Sequence, residues 1–161
     1  MIGSIVIALL VFTIYVLFAG STSQYTLLTG ALIALILGFT TSRYLVKNEY
    51  KLLDPRRLLY LAYYFLKYMT IIEFKAHIDV LKRIFNMNIK PGIVKIPVQV
   101  KSSYGRLLVA CSITNTPGTV VIDERDGYFY VNWIYVTTVE PLAARREISE
   151  EFEKYGTKIF D

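Results

Sequence analysis

Two ionisable residues, Lys67 and Glu73, stand within and at the end of the otherwise apolar and aromatic run from Leu58 to Ile72. A charge at mid-membrane costs on the order of 2.5 to 3.5 kcal/mol on insertion scales, so residues kept there tend to serve ion or proton paths. The competing reading is an amphipathic helix whose lysine lays its methylenes along apolar surface and keeps its ammonium in water. The acids Asp123, Glu124 and Asp126 surround the Asp126-Gly127 pair, where a solvated hairpin end is normally charged, so they are not assigned a metal. His77 and Cys111 are the only histidine and the only cysteine. Together they cannot form an N/S metal cage, and a single cysteine leaves no internal disulfide. There is no Gly-rich phosphate loop, no HExxH and no nucleophile with a partnered histidine. The residues therefore point to no catalysis, no cofactor and no metal.

The sharpest local motif is Thr116-Pro117-Gly118-Thr119. Pro117 fixes its own φ and pushes Thr116 toward an extended conformation, while Gly118 can supply the positive φ that a type II turn needs at its third position. This spacing predicts a tight reversal between a short helix and a strand.

The elements that hold these residues begin in a membrane. The chain has 161 residues, 54% of them hydrophobic, and a mean hydropathy of +0.43, too apolar for an ordinary soluble domain. The net charge of +5 is of the kind that basic cytoplasmic loops give to membrane proteins, and nucleic acid is not an expected partner. No charged side chain precedes Arg43. Ile2 to Ala19 is long enough to cross a hydrocarbon core, and Tyr25 to Thr41 forms a second span. A signal peptide is not expected, because a basic start is missing and a second apolar run follows at once. Gly30 and Gly38 either allow close helix packing or reflect the tolerance of lipid-facing helices for glycine. Arg43, Lys47, Lys51, Arg56 and Arg57 outweigh Glu49 and Asp54, which places this loop in the cytoplasm, the N-terminus with it, and the Gly20 to Gln24 turn outside.

Asp54-Pro55 reads as a helix start. The third helix is either an amphipathic helix along the cytoplasmic surface, which the basic residues from Lys75 to Lys90 favour, or a third span. From Lys90 the sequence reads as a small α/β domain. Val94, Ile96, Val98 and Val100 alternate with polar positions and Pro97, the pattern of an edge strand. Ser102-Ser103 caps a short helix with Leu107, Leu108 and Cys111 on one side. After the Thr116 to Thr119 turn come a strand, a hairpin at Asp126-Gly127, and the strand Tyr128 to Val136. A surface helix from Glu140 to Tyr155 carries Ala144, Ile148, Phe152 and Tyr155 on one face, and Thr157 to Phe160 can add a brief final strand. The expected fold class is thus a membrane α-helical part, residues 1–89, with two transmembrane helices plus a third amphipathic or spanning helix. A small α/β domain of β-α-β-β-α order, residues 90–161, follows.

Both alternating sets of the Tyr128 to Val136 strand are apolar or aromatic, and a sheet covered by two short helices needs only one such face. Tyr128, Tyr130 and Trp133 are therefore candidate interface residues, against the plainer reading that the tyrosines keep their hydroxyls in water while their rings cover the sheet.

The two leading spans, basic loop and aromatic third helix are followed by Pro91-Gly92-Ile93-Val94, Ile113-Thr114-Asn115-Thr116-Pro117-Gly118-Thr119 and Tyr130-Val131-Asn132-Trp133. Over nearly its whole length the chain thereby resembles the E subunits of the Mrp-type multisubunit Na+/H+ antiporters. The most specific part is the Thr-Pro-Gly-Thr turn followed by a strand bearing Asp123. Asn115 and Asn132 depart from the family pattern. The resemblance implies a non-catalytic accessory subunit in a multi-pass cell-membrane complex that exchanges sodium for protons, with a cytoplasmic C-terminal domain. Its expected partners are membrane lipid and other subunits of such an antiporter, or of a related membrane-bound hydrogenase or sulfane reductase complex. Thr116, Pro117, Gly118 and Thr119 are expected to form a structural turn that also serves assembly. A different class of function remains open, a free-standing membrane-anchored binding or regulatory module.

Overall fold

The computed structural model describes residues 2–46, 51 and 54–161. Lys47 and Glu49 of the basic loop lie outside the described residues. The chain divides into two compact units at Asp54/Pro55, so the third helix packs as part of the second unit. The division expected after residue 89 concerned where the membrane part ends, which contacts within the chain do not address.

The first unit is an antiparallel pair, α1 (Ile2–Ala19) and α2 (Gln24–Leu45), both long and apolar enough to cross a membrane. Every fourth residue of one α2 face, Thr26, Gly30, Ala34, Gly38 and Ser42, is buried. All are small, which lets the backbones approach. A Cβ added at Gly38 would lie 2.7 Å from the Ser4 carbonyl oxygen and 2.8 Å from the Ala8 Cβ. The glycines are therefore packing residues, the first of the two readings above. Two hydroxyl pairs tie the helices, Ser4 to Ser42 at 2.8 Å and Tyr15 to Thr29 at 3.1 Å. Ser23 caps α2, its Oγ accepting from the Thr26 N–H.

In the second unit α3 (Pro55–Lys67), a π-helical turn (Tyr68–Ile72) and α4 (Glu73–Asn86) follow one another without a gap, and the helix starts at Pro55 as the sequence implies. The Glu73 N–H donates to the Tyr68 carbonyl, the bond that defines the π turn. β1 (Gly92–Pro97), α5 (Ser103–Asn115), β2 (Thr119–Arg125), β3 (Tyr128–Trp133), α6 (Pro141–Ile148) and α7 (Glu150–Phe160) complete the unit. The sheet is antiparallel in the order β1-β3-β2, so Pro97 does lie on an edge strand. Asp126 and Gly127 both have positive φ, 53° and 79°, as a type I′ hairpin turn requires. Val94, Ile96, Phe129 and Val131 share the buried sheet face, on which α5, α6 and α7 bring Val109, Ile113, Ala144, Ile148 and Phe152.

Several expected details are corrected. The element order is β-α-β-β-α-α, because the last helix breaks at Ser149, whose φ of −123° and ψ of −18° leave the helical region. Its hydroxyl donates to Glu153 Oε1 at 2.7 Å, and Arg145 Nε reaches the same oxygen at 3.1 Å, which fixes the corner. Ala144, Ile148 and Phe152 still share the core face. Thr157 to Phe160 is the last turn of α7, not a strand. β1 stops at Pro97, since the Gln99 N–H turns to Glu153 Oε2 at 2.9 Å instead of to the ladder. Ser102 caps α5 as expected, but Leu107 and Cys111 are exposed, and Gly105, Val109, Ser112 and Ile113 face inward.

Gly38→Leu should destabilise the α1/α2 pair by about 1 to 3 kcal/mol, the usual effect of overpacking. Reversible unfolding of the full chain in lipid–detergent mixtures checks it. Wild-type stability would show that the close approach at Ser4 and Ala8 is not required.

Candidate functional site at the Thr-Pro-Gly-Thr turn

Helical partners run out over the last turn of α5, where the two threonines of the motif donate to carbonyls; that of Ser112 also accepts from the Thr116 N–H at 3.1 Å. Thr116 Oγ1 donates to the Ser112 carbonyl at 2.7 Å, and Thr119 Oγ1 donates to the Ile113 carbonyl at 2.7 Å. Between them Gly118 has φ +99°, and the Thr119 N–H closes the turn on the Thr116 carbonyl at 3.3 Å. The Gly118 carbonyl accepts from the Ile134 N–H at 2.8 Å, which joins the turn to the end of β3. A Cβ at Gly118 would stand 3.0 Å from Ile134 Cγ2 and 3.5 Å from Val80 Cγ2. Thr116, Gly118 and Thr119 thus have separate tasks.

The third helix docks on this turn through its polar side. Tyr64 donates to Ser112 Oγ at 2.5 Å, since Ser112 Oγ itself donates to the Leu108 carbonyl at 2.8 Å. Burial pushes the Tyr64 phenol up to about 12. Tyr68 Oη lies 3.2 Å from both the Ser112 carbonyl and Thr116 Oγ1, and accepts from Asn115 Nδ2 at 3.2 Å. Burial raises the Tyr68 phenol as well. Asn115 is thereby a contact between turn and helix.

Lys67 and Glu73 flank the π turn and serve different partners. Lys67 Nζ pairs with Glu151 of α7 at 2.5 Å and lies 5.7 Å from the Tyr155 ring centroid. The hydrogen bond it donates to Glu151 holds its ammonium above the ordinary lysine range. Glu73 lies 3.5 Å from His77 Nδ1 and 3.5 Å from Asn115 Nδ2. The two side chains thus tie the helix to α7 and to the end of α5. Thr116 to Thr119 and Trp133 line a cavity of about 270 Å³ that Asp79 and Glu147 also border. Trp133 shares the strand parity of Phe129 and Val131. Tyr128 and Tyr130 lie on the opposite face, where the Lys95 ammonium stands 4.0 and 5.8 Å from their ring centroids. Among the described residues no group of three or more His, Cys, Asp or Glu is placed to hold a metal ion.

Residues 8–159 match the model of the MNHE family, whose members are Na+/H+ ion antiporter subunits by its description. The chain belongs to that family. It is 30% identical over 154 residues to the Na(+)/H(+) antiporter E subunit of Alkalihalophilus pseudofirmus, covering 93% of each chain. Its fold is similar, with a TM-score of 0.84 and 27% identity, to a chain in the structure of the membrane-bound sulfane sulfur reductase, an archaeal respiratory membrane complex. That likeness covers 99% of this chain and 100% of that one. With α1 and α2, the family places this MNHE chain in a membrane.

Sequence reasoning found the turn but missed what it holds. Ser112, Asn115, Tyr64 and Tyr68 carry the contact, together with Glu151. The signal that could have found them was the tyrosine column Tyr60, Tyr64 and Tyr68, four residues apart on one helix side. In this MNHE chain Gly118→Ala should destabilise the second unit by about 1 to 2 kcal/mol through the left-handed backbone. Tyr68→Phe should do so by about 1 kcal/mol through the lost hydroxyl. Lys67→Met, at a pair whose side chains are 28% and 49% exposed, should change stability by no more than about 1 kcal/mol. Thermal unfolding and amide exchange of α5 check all three. A Gly118→Ala variant as stable as wild type would remove the special status of the turn.

Proposed function

We propose that the chain is a non-catalytic accessory subunit of a Na+/H+ antiporter module, either in a stand-alone antiporter or within a membrane-bound hydrogenase-like or sulfane reductase respiratory complex. The observation that carries the assignment of a supporting role is the chemistry of the two spans. Of all residues in α1 and α2 only Arg43, in the last turn of α2, is charged. A helix pair without carboxylate, lysine or histidine at membrane depth lacks the ionisable side chains that ion and proton paths through a membrane are commonly built from. Family membership supplies the setting, and the relatives' names supply the exchanged ions.

In this reading the N-terminus and the basic segment from Arg43 to Arg57 are cytoplasmic, by the excess of lysine and arginine there. Residues through 89 carry the membrane-contacting helices, and residues 90–161 form the cytoplasmic α/β portion. Thr116 to Thr119 and the Tyr128/Tyr130 face are the surfaces for assembly with other subunits. The latter is supported by an open sheet side that also exposes Ile93, Val120 and Ile122.

Tagged full-length chain, purified in mild detergent from its own cells, should bring down several small membrane proteins. Its loss should lower Na+/H+ exchange in everted vesicles. Tyr128→Ser combined with Tyr130→Ser should reduce both while the chain still inserts and folds. A monodisperse monomer or homodimer would instead support a free-standing membrane-anchored binding module. In a Cys111→Ser background, Thr22→Cys should react with an impermeant thiol reagent on intact cells and Lys158→Cys should not. The reverse pattern would invert the topology.

A further inference from the structure

We infer that the outer side of the third helix, α3 through α4, is a membrane-surface contact that lies along the bilayer on anionic phospholipid rather than crossing it. The outer side is apolar along nearly the whole helix. Leu59 is 70% exposed, Phe65 60%, Met69 52%, Phe74 67% and Phe85 78%. The inner side carries the helix's polar contacts and packs on the core of the unit. Its contacts run in order along α7, from Arg57 donating to the Ile159 carbonyl at 2.7 Å, through Lys158 over the Tyr60 ring at 5.1 Å, to the Lys67–Glu151 pair. Further along, Arg83 sits 4.2 Å from the Tyr135 ring centroid. The α/β portion therefore flanks the helix from its first turn to its last.

That flank decides between the two ways of meeting lipid. If the helix crossed the bilayer, Lys158, Glu151 and the rest of α7 would be carried into hydrocarbon with it, at on the order of 2.5 to 3.5 kcal/mol for each charge. Lying along the surface, the apolar side enters the interface and the α/β portion stays in water. The sequence brings the helix to the right place, because α2 ends at Leu45 and α3 begins at Pro55, a tether of at most about 35 Å. The outer side also carries cations for headgroup phosphates. Lys75 and Lys82 border a surface cavity of about 340 Å³ with Phe74, Ile78 and Asp79; the Asp79 carboxylate is paired with Arg83, so phosphates and acyl chains can be met side by side at the two lysines.

The inference uses the anchoring by α1 and α2 from the proposed function but not the antiporter role. Nitroxide labels at Leu59→Cys, Phe65→Cys, Phe74→Cys and Phe85→Cys, each in full-length Cys111→Ser chain, test it in nanodiscs and in native membranes. Collisions with oxygen should exceed those with an aqueous nickel chelate at all four sites, at a similar shallow depth. Chelate exclusion should be several-fold stronger in phosphatidylglycerol than in phosphatidylcholine. Labels at Phe65 and Phe74 near the bilayer centre with Leu59 and Phe85 at opposite surfaces would show a span and overturn the inference. Labels open to the chelate would show a face in water, and labels closed to both reagents in native membranes would show a protein interface; either result also overturns it. Equal exclusion in the two lipids would remove the anionic headgroups. None of these results alters the co-purification outcome, so the two readings fail separately.

Discussion

The second unit depends on one constraint, that a long helix apolar on its outer side must satisfy its polar stripe from within the unit. Tyr64, Tyr68 and Glu73 do this at the end of α5, and Lys67 does it on α7. In a regular α-helix, position 80 would be turned by about 160° from position 64, and the stripe would leave the surface it serves. The π turn adds one residue and takes back about 100°, which leaves Tyr64, Tyr68, Ile72, Ala76 and Val80 on one side. The turn therefore lies where the phase error would otherwise separate Tyr68 from Glu73's partners.

The Thr-Pro-Gly-Thr segment gains its meaning from that docking. It ends α5, starts β2 and presents the Ser112 carbonyl and Thr116 hydroxyl to Tyr68. A turn in this position couples helix, sheet and third helix, so a change in its backbone reaches all three. The same economy appears at the other end of the core, where Arg145, Gln99 and Ser149 share the carboxylate of Glu153. Glu153 is 3% exposed. A carboxyl group so buried is tolerated because both oxygens have donors, and among the described residues no buried side-chain polar atom lacks a partner.

The first unit is built on a different principle. Lipid offers no hydrophobic reward for pairing two apolar helices, so α1 and α2 are held by close backbone approach at small residues and by hydroxyl pairs. Their lack of carboxylate, lysine and histidine at membrane depth suits a part that anchors and braces. In the second unit the ionisable residues Lys67 and Glu73 of the third helix face partners within the unit. Both observations fit a subunit whose contribution to ion exchange is made through its neighbours.

Much was written locally in the chain. Uninterrupted hydropathy marked both spans, the Pro117-Gly118 and Asp126-Gly127 pairs specified their backbone angles, Pro97 marked an edge, and Ser102 marked a cap. Each follows from a residue's own φ, its hydrogen-bonding atoms or its transfer free energy. The sequence did not disclose the π turn, the break at Ser149, the early end of β1, or which side of α5 faces inward. Those outcomes depend on partners distant in sequence, such as Glu151 for Lys67, Glu153 for Gln99 and Ser112 for Tyr64. A tyrosine column or a lone lysine states what must be satisfied, and only the folded chain decides by whom.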